Sequence, residues 1–374
     1  MHLTKDVGQI PCFMHRLFGY DAYIATYRNS GQYPALDNEA KGLKLDFIPN
    51  TGRRSFVEKE VLNYLRSKGP QIDVLNLYHY SKYSFVYGLL FKKVNPKGFL
   101  YLKVDAYNDM FEPGKEIKFS RNRIKNLLLK RLEKRFLSRI DLLSIETREG
   151  EKLLRERFPS LEQKIIRVPV GVNDIFLKET FSKGVRTFEE KENIILATGR
   201  IGEPVKNQEM ILKALARVQM KDWKMVFVGP VNKEFGQFSG KFIAQNPALK
   251  DRVIFTGEIT DRKALYEWYN RSKIVCMTSL KESFCHALVE GIYFGNYLVG
   301  TEGIMSMQDL TDDEKYGRII RANDDKMLAD TLQALINQPE TLKDLYEPIR
   351  KHALKNSVWP EILKTLQQQI EKRI

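Results

Sequence analysis

A chain of 374 residues is long enough for two domains with separate cores, and its 43% hydrophobic and 29% charged residues are those of an ordinary soluble globular sequence. Its 61 Lys and Arg against 47 Asp and Glu leave a net charge of +14, which implies an anionic partner: nucleic acid, phospholipid headgroups or phosphorylated small molecules. No apolar run approaches the roughly 20 residues that cross a bilayer, residues 1–6 lack the apolar core of a secretion signal, and Cys12, Cys276 and Cys285 have no CxxC spacing. That cysteine usage fits a reducing cytoplasm and argues against a disulfide framework or a zinc site.

Residues 1–20 read as a short extended lead, a loop through Gly8, and a helix over 12–18. Gly8 would let a phosphate or sugar approach the backbone ahead of the helix, and Pro11 suits a first helical turn; a plain strand-to-helix turn uses the same residues. Strands are expected at 21–26, 43–48, 72–77 and 98–105, with helices over 56–68 and 83–92. This is the rhythm of a parallel sheet covered on both faces. Ligands collect at the carboxyl ends of such strands, where His79 and Asp105 stand. Each is also readable as a surface or hydrogen-bonded polar group.

Residues 115–140 carry ten Lys and Arg against Glu116 and Glu133 alone. Ile124, Leu128, Leu132, Phe136 and Ile140 recur every four residues, one apolar stripe of a helix. A basic amphipathic helix can lie on an anionic membrane; it can also cover a sheet and turn its charges to water. Nothing in it matches a nucleic-acid motif, so nucleic acid is not an expected partner.

A strand at 141–145, a helix at 148–158 and the segment 165–173 close a first half. The polar stretch 178–192 has no apolar period and reads as a linker. A buried strand at 193–198 then runs into Gly199-Arg200, followed by a loop with Lys206 and a helix. Further strands are expected at 224–230, 253–259, 274–277 and 297–301, with helices between them and a final helix over 358–370. The domains expected are 1–177 with 356–374, and 190–355, joined by 178–189. Asp312, Asp313, Asp324 and Asp325 read as solvated.

Two carboxylates stand out. Glu282 falls at a strand-to-helix turn and Glu290 eight residues on. Eight helical residues rise about 12 Å and return to nearly the same face, so the pair could hold two ends of an elongated ligand. The helix N-terminus between them suits an anion. Arg200 and Lys206 add two cations to the loop that follows a buried strand, Arg as a planar fork and Lys as a point charge.

Taken in order, the Gly8 loop, Val168-Pro169-Val170-Gly171-Val172-Asn173, Gly199-Arg200 with Lys206-Asn207, Phe255-Thr256-Gly257 and the E-x7-E pair Glu282 and Glu290 resemble the retaining glycosyltransferases of family four, the glycosyl transferases group 1. The likeness covers nearly the whole chain. It implies an α/β GT-B fold: two Rossmann-like doubly wound domains facing a cleft, with the C-terminal helix crossing back to the first. It implies transfer of a hexose from a nucleotide-diphosphate sugar, a UDP-sugar first and a GDP- or ADP-sugar after it, to a glycan, lipid-linked or protein acceptor. No metal and no other cofactor is implied. By the same resemblance Glu282, Arg200, Lys206 and His79 form the catalytic set. Gly8, Ile259, Ser283, Phe284, Cys285 and Glu290 bind the donor, with Ile259 in the base-contacting segment and Glu290 on the ribose. Asp105 faces the acceptor. The expected place is the cytoplasm, peripheral at the inner face of the membrane if residues 115–140 bind lipid.

Cys285 and Gly291 depart from the family pattern, which often has glycine and alanine there. A small Cys285 would still leave backbone amides open to the donor. There is no G-x-G-x-x-G after a first strand and no G-x-x-x-x-G-K-S/T, against a dinucleotide enzyme and a P-loop NTPase. A non-catalytic GT-B partner subunit of a transferase complex and a sugar-nucleotide epimerase of related fold are the alternatives.

Overall fold

A computed structural model describes residues 2–50, 57–105 and 107–373. The chain divides into two units, Met1–Asn173 with Trp359–Ile374, and Asp174–Val358.

The first unit runs α1 (Asp6–Phe18), β1 (Tyr23–Tyr27), β2 (Lys44–Ile48), α2 (Lys59–Lys68), β3 (Val74–Tyr78), α3 (Lys82–Val94), β4 (Phe99–Lys103), α4 (Arg123–Leu137), β5 (Leu142–Ile145), α5 (Arg148–Arg157) and β6 (Ile165–Arg167), and is closed by the helix Trp359–Glu371. All strand pairs are parallel. The local sequence explains the elements. Every residue of β4 and β5 is buried, the pattern of parallel strands covered on both faces. Helix α5 starts where the Thr147 hydroxyl accepts from the Gly150 amide at 3.0 Å, with Glu149 and Glu151 in its first turn and Arg155 and Arg157 in its last. The start of the expected helix 56–68 falls partly outside the described residues.

Three expectations fail in this unit. Residues His2–Thr4 form a 3-10 turn in place of a first strand. The sheet is accordingly in two pieces, β1-β2 and β3-β4-β5-β6, over two separate apolar clusters. In the doubly wound order 3-2-1-4-5-6, the first strand stands between those pieces. Second, Gly8 lies inside α1, whose helix starts six residues earlier than expected, and Pro11 sits in the helix interior. A Cβ on Gly8 would come 2.2 Å from the Leu3 carbonyl oxygen, so glycine here serves the packing of helix on turn, with no loop to receive a phosphate. Third, the apolar stripe of α4 splits. Phe136 and Leu129 are buried, and Ile140 is buried beyond the helix end, whereas Ile124, Leu127 and Leu128 are 72%, 54% and 56% exposed.

The second unit runs α6 (Asp174–Thr180), β7 (Ile194–Thr198), α7 (Gln208–Leu215), β8 (Lys224–Val228), α8 (Lys233–Gln245), β9 (Val253–Phe255), α9 (Arg262–Arg271), β10 (Ile274–Met277), α10 (His286–Tyr293), β11 (Tyr297–Thr301), α11 (Met307–Thr311), β12 (Gly317–Ile320), α12 (Asp325–Asn337) and α13 (Pro339–Asn356). One parallel sheet holds its six strands in the order β12-β11-β10-β7-β8-β9. The direction of winding reverses between β7 and β10, paired through Ile195 with Ile274 and Leu196 with Val275. Ligands of open α/β sheets bind outside the carboxyl ends of the strands at such a reversal.

Residues 178–189 are more than a bare linker. Phe181 packs edge-on to Phe294 with centroids 5.4 Å apart, Arg186 pairs with Glu267 at 2.7 Å, and Phe188 lies against Tyr346. Two aromatic anchors and two ion pairs, the second between Glu189 and Lys343 at 2.8 Å, fasten this polar stretch within the second unit.

Candidate active site

The site grows from the carboxyl ends of β7 and β10. Beyond β7 the chain enters Gly199-Arg200, while Gly199 N–H donates to Val228 O at 2.9 Å and Gly229 N–H to Gly257 O at 2.9 Å. Gly229 has φ 140, and a Cβ there would meet the Gly199 carbonyl oxygen at 1.8 Å. No side chain fits where these strand ends close on one another.

Arg200 is 70% exposed at the side chain and 3.9 Å from Glu203. The loop behind it is strapped. Gln208 accepts from Gly202 N–H at 3.0 Å and donates to Arg200 O at 3.3 Å, and Asn232 donates to Gly202 O at 2.5 Å. The loop ends at Lys206, whose ammonium lies 2.9 Å from Glu282 Oε1. Thr278, just past β10, donates to the carbonyls of Lys206 and Asn207 at 3.1 and 2.9 Å. The loop after β7 is thereby tied to the loop after β10.

Glu282 is fixed on both sides. Ser279 Oγ donates to its Oε2 at 2.8 Å, its own N–H donates to Gly303 O, and its carbonyl accepts from Met305 N–H. The Glu302-Gly303-Ile304 stretch is thus the floor of the Glu282 loop. Helix α10 starts only at His286, so Glu282 to Glu290 is half loop and half helix. Eight residues of continuous helix, the spacing expected from sequence, do not occur, because the chain must first turn out of β10.

Ser283 is half-buried and Phe284 buried. Cys285 corrects an expectation: it is 1% exposed, and its N–H donates to Ser306 Oγ at 3.3 Å, so this amide is engaged within the protein. Burial, with Glu282 adding to it, pushes the Cys285 thiol far up, and it is neutral at any physiological pH. Ile259 is half-buried in the loop between β9 and α9, since β9 ends at Phe255.

Glu290 is held by groups that sequence patterns do not reveal. Arg262 Nη2 is 3.0 Å from Glu290 Oε1. Tyr269 is fully buried, with its hydroxyl 2.6 Å from Thr198 Oγ1. Burial and the neighbouring Glu290 carboxylate push that phenol well up and keep it protonated. A polar chain Thr198–Tyr269–Glu290–Arg262 thus runs from the end of β7 to α9. These residues lie 28 and 21 positions before Glu290 or farther, a separation at which pattern gives no signal. Asp324 caps α12 by accepting from Met327 N–H, and Asp325 pairs with Arg217.

In the first unit the structure brings together His79 and Asp105, which the sequence offered separately. His79 Nδ1 is 3.8 Å from Asp105 Oδ2 beyond β3 and β4. His79 has φ 66, a left-handed backbone that glycine adopts more easily, and its side chain is 62% exposed. Behind the pair, Lys103 is buried between Asp6 at 3.0 Å and Glu146 at 2.8 Å. Burial works against the Lys103 ammonium, but Glu146 and Asp6 outweigh it and hold its pKa above the usual lysine value. Burial also pushes the Glu146 carboxyl up to about 7 despite Lys103.

Residues 178–352 match the profile of the family described as glycosyl transferases group 1. Over this domain the chain is similar to the group 1 glycosyltransferases. The match takes in the Arg200 loop, Lys206, Glu282 and Glu290. A curated relative from Campylobacter jejuni subsp. jejuni serotype O:2, a GalNAc-alpha-(1->4)-GalNAc-alpha-(1->3)-diNAcBac-PP-undecaprenol alpha-1,4-N-acetyl-D-galactosaminyltransferase, is 28% identical over 219 residues, 56% of this chain. The chain spans only 56% of that relative's length in the match. Among solved structures, Anabaena HepE in complex with UDP is similar over 98% of this chain and 96% of its own, with TM-score 0.69 and 15% identity. A glycosyltransferase from Rickettsia africae gives TM-score 0.70 at 15% identity, over 98% and 93%. These likenesses show the fold, GT-B.

Proposed function

We propose that this protein is a retaining glycosyltransferase that moves a hexose from a nucleotide-diphosphate sugar to a hydroxyl of a glycan, lipid-linked or protein acceptor. The observation that carries the proposal is the Arg200–Lys206 loop tied to Glu282 at the winding reversal of the second unit. A diphosphate leaves as an anion, and two cations on a strapped loop stabilise the charge that grows on it without reorganising. Glu290 accepts from the ribose hydroxyls and Glu282 from hydroxyls of the hexose. The sugar C1–O bond breaks toward the nucleoside diphosphate, and the acceptor oxygen bonds to C1 on the face the diphosphate leaves. The acceptor proton passes to the leaving phosphate, so no protein base is required. His79 and Asp105 serve the transferred sugar and the acceptor. The UDP bound in the HepE structure supports a UDP-sugar as the first donor to test.

The acceptor side is proposed at an anionic membrane surface, in the cytoplasm. Ile124, Leu127 and Leu128 stand exposed on α4 among Arg121, Arg123, Lys125 and Arg131. Cations there each add about 1 kcal/mol near anionic lipid. The undecaprenol-linked acceptor in the name of the Campylobacter relative supports the same placement.

The test is a thermal-shift panel of UDP, GDP, ADP and their sugar conjugates on wild type and Glu290→Ala, followed by transfer assays. One nucleotide should stabilise the wild type by about 2.7 kcal/mol at 100 times its dissociation constant, and this should vanish in the variant. Arg200→Ala should then lose about 100-fold or more in turnover. A flat panel would favour the non-catalytic GT-B reading, for which the divided sheet of the first unit speaks. Product analysis without acceptor separates an epimerase.

A further inference from the structure

We infer that Arg262 is a positioning residue that sets the preference of the donor site for ribose over deoxyribose, acting through Glu290. This rests on the proposed nucleotide site. Arg262 is the first residue of α9, three residues beyond Ile259, and its guanidinium reaches back 3.0 Å to Glu290 Oε1 on α10. The same guanidinium lies over the Tyr266 ring, 4.5 Å from its centroid, and donates to the Tyr266 hydroxyl. Tyr266 is itself buried, against Phe294 and Phe176. The arginine is therefore fixed by a buried aromatic before any ligand arrives.

The consequence for Glu290 is geometric and electrostatic. Its side chain is 14% exposed, and a carboxylate that far from water needs donors. Arg262 takes one oxygen, and the buried Tyr269, its hydroxyl 2.6 Å from Thr198 Oγ1, neighbours the carboxylate on its inner side. A donor fixed in this way holds the carboxylate in a single orientation with lone pairs still open, the state in which it can accept from a vicinal diol. The guanidinium also offsets the negative charge that would otherwise repel a nucleoside diphosphate. A site whose buried acceptor is aimed at a hydroxyl rejects the analogue that lacks it. Without Arg262 the carboxylate swings and hydrates, and the ribose hydroxyl loses its distinct partner.

The experiment is calorimetric titration of wild type, Arg262→Met, Arg262→Gln and Arg262→Lys with UDP and 2'-deoxy-UDP, each variant checked for folding by circular dichroism. The ratio of the two dissociation constants is the readout. Wild type should prefer UDP by about tenfold or more, the worth of one hydrogen bond to a charged group. Arg262→Met and Arg262→Gln should bring the ratio close to one, and Arg262→Lys should restore part of it. A general structural loss would weaken both ligands alike and leave the ratio unchanged, which overturns the inference while leaving the nucleotide site standing. If the wild type binds neither UDP nor another nucleoside diphosphate, the inference and the proposed function fall together.

Discussion

Lys206 and Glu282 are joined at 2.9 Å although they lie on loops after two different strands, and Ser279 holds the second carboxylate oxygen at 2.8 Å. The pair keeps a cation and a hydroxyl acceptor in fixed relation at the winding reversal. Lys206→Met should cut turnover about 100-fold, because the contact proposed to the departing diphosphate is lost and Glu282 loses its counter-charge. Steady-state transfer rates on the folded variant decide it. A rate near wild type would remove Lys206 from the chemistry.

The backbone of His79 makes a separate prediction. With φ 66, glycine there is relaxed and alanine is strained. His79→Gly should be about 1 kcal/mol more stable than His79→Ala in urea denaturation. Both variants lack the imidazole, so both should lose transfer activity to the same degree. Unequal activities would show that the backbone, and not the side chain, is what the reaction uses.

On α4, Ile124→Ser, Leu127→Ser and Leu128→Ser together should abolish sedimentation with vesicles containing phosphatidylglycerol, while wild type should bind these and largely ignore neutral vesicles. Because the three side chains are exposed, unfolding stability should move by no more than about 0.5 kcal/mol. Equal binding by wild type and triple variant would place the lipid contact elsewhere or nowhere.

Glu146 predicts the pH dependence of folding. Its folded pKa of about 7 stands above the ordinary 4.5, so the folded state holds the extra proton between those values. Stability therefore falls as pH rises from about 5 to 7, by about 1–3 kcal/mol. Lys103, Asp105 and Asp6 are the charges acting on it. Carboxylates with lowered pKa, such as Glu192 beside Arg271, act in the opposite sense and below this window. The measure is the difference between wild type and Glu146→Gln in denaturation at pH 5, 6, 7 and 8. That difference should grow with pH. Parallel curves would mean that Lys103 keeps Glu146 charged throughout.

The sequence by itself determined five of the six strands of the second unit, β7 to β11 but not the edge strand β12, because buried parallel strands are continuous apolar runs and their turns need glycine. It also determined which cations and carboxylates stand at strand ends: Arg200, Lys206 and Glu282 follow β7 and β10 in the order the chain is written. Tertiary structure decided the rest. Gly8 looked like a ligand loop because a glycine before an apolar helix has two uses, and only the 2.2 Å approach to Leu3 separates them. The α4 stripe looked uniform because period alone cannot say which turns of a helix meet a core; Phe136 does and Ile124 does not. Arg262 and Tyr269 were invisible because the contact with Glu290 spans separate elements, and a hydrogen bond depends on distance in space, which the order of residues does not carry.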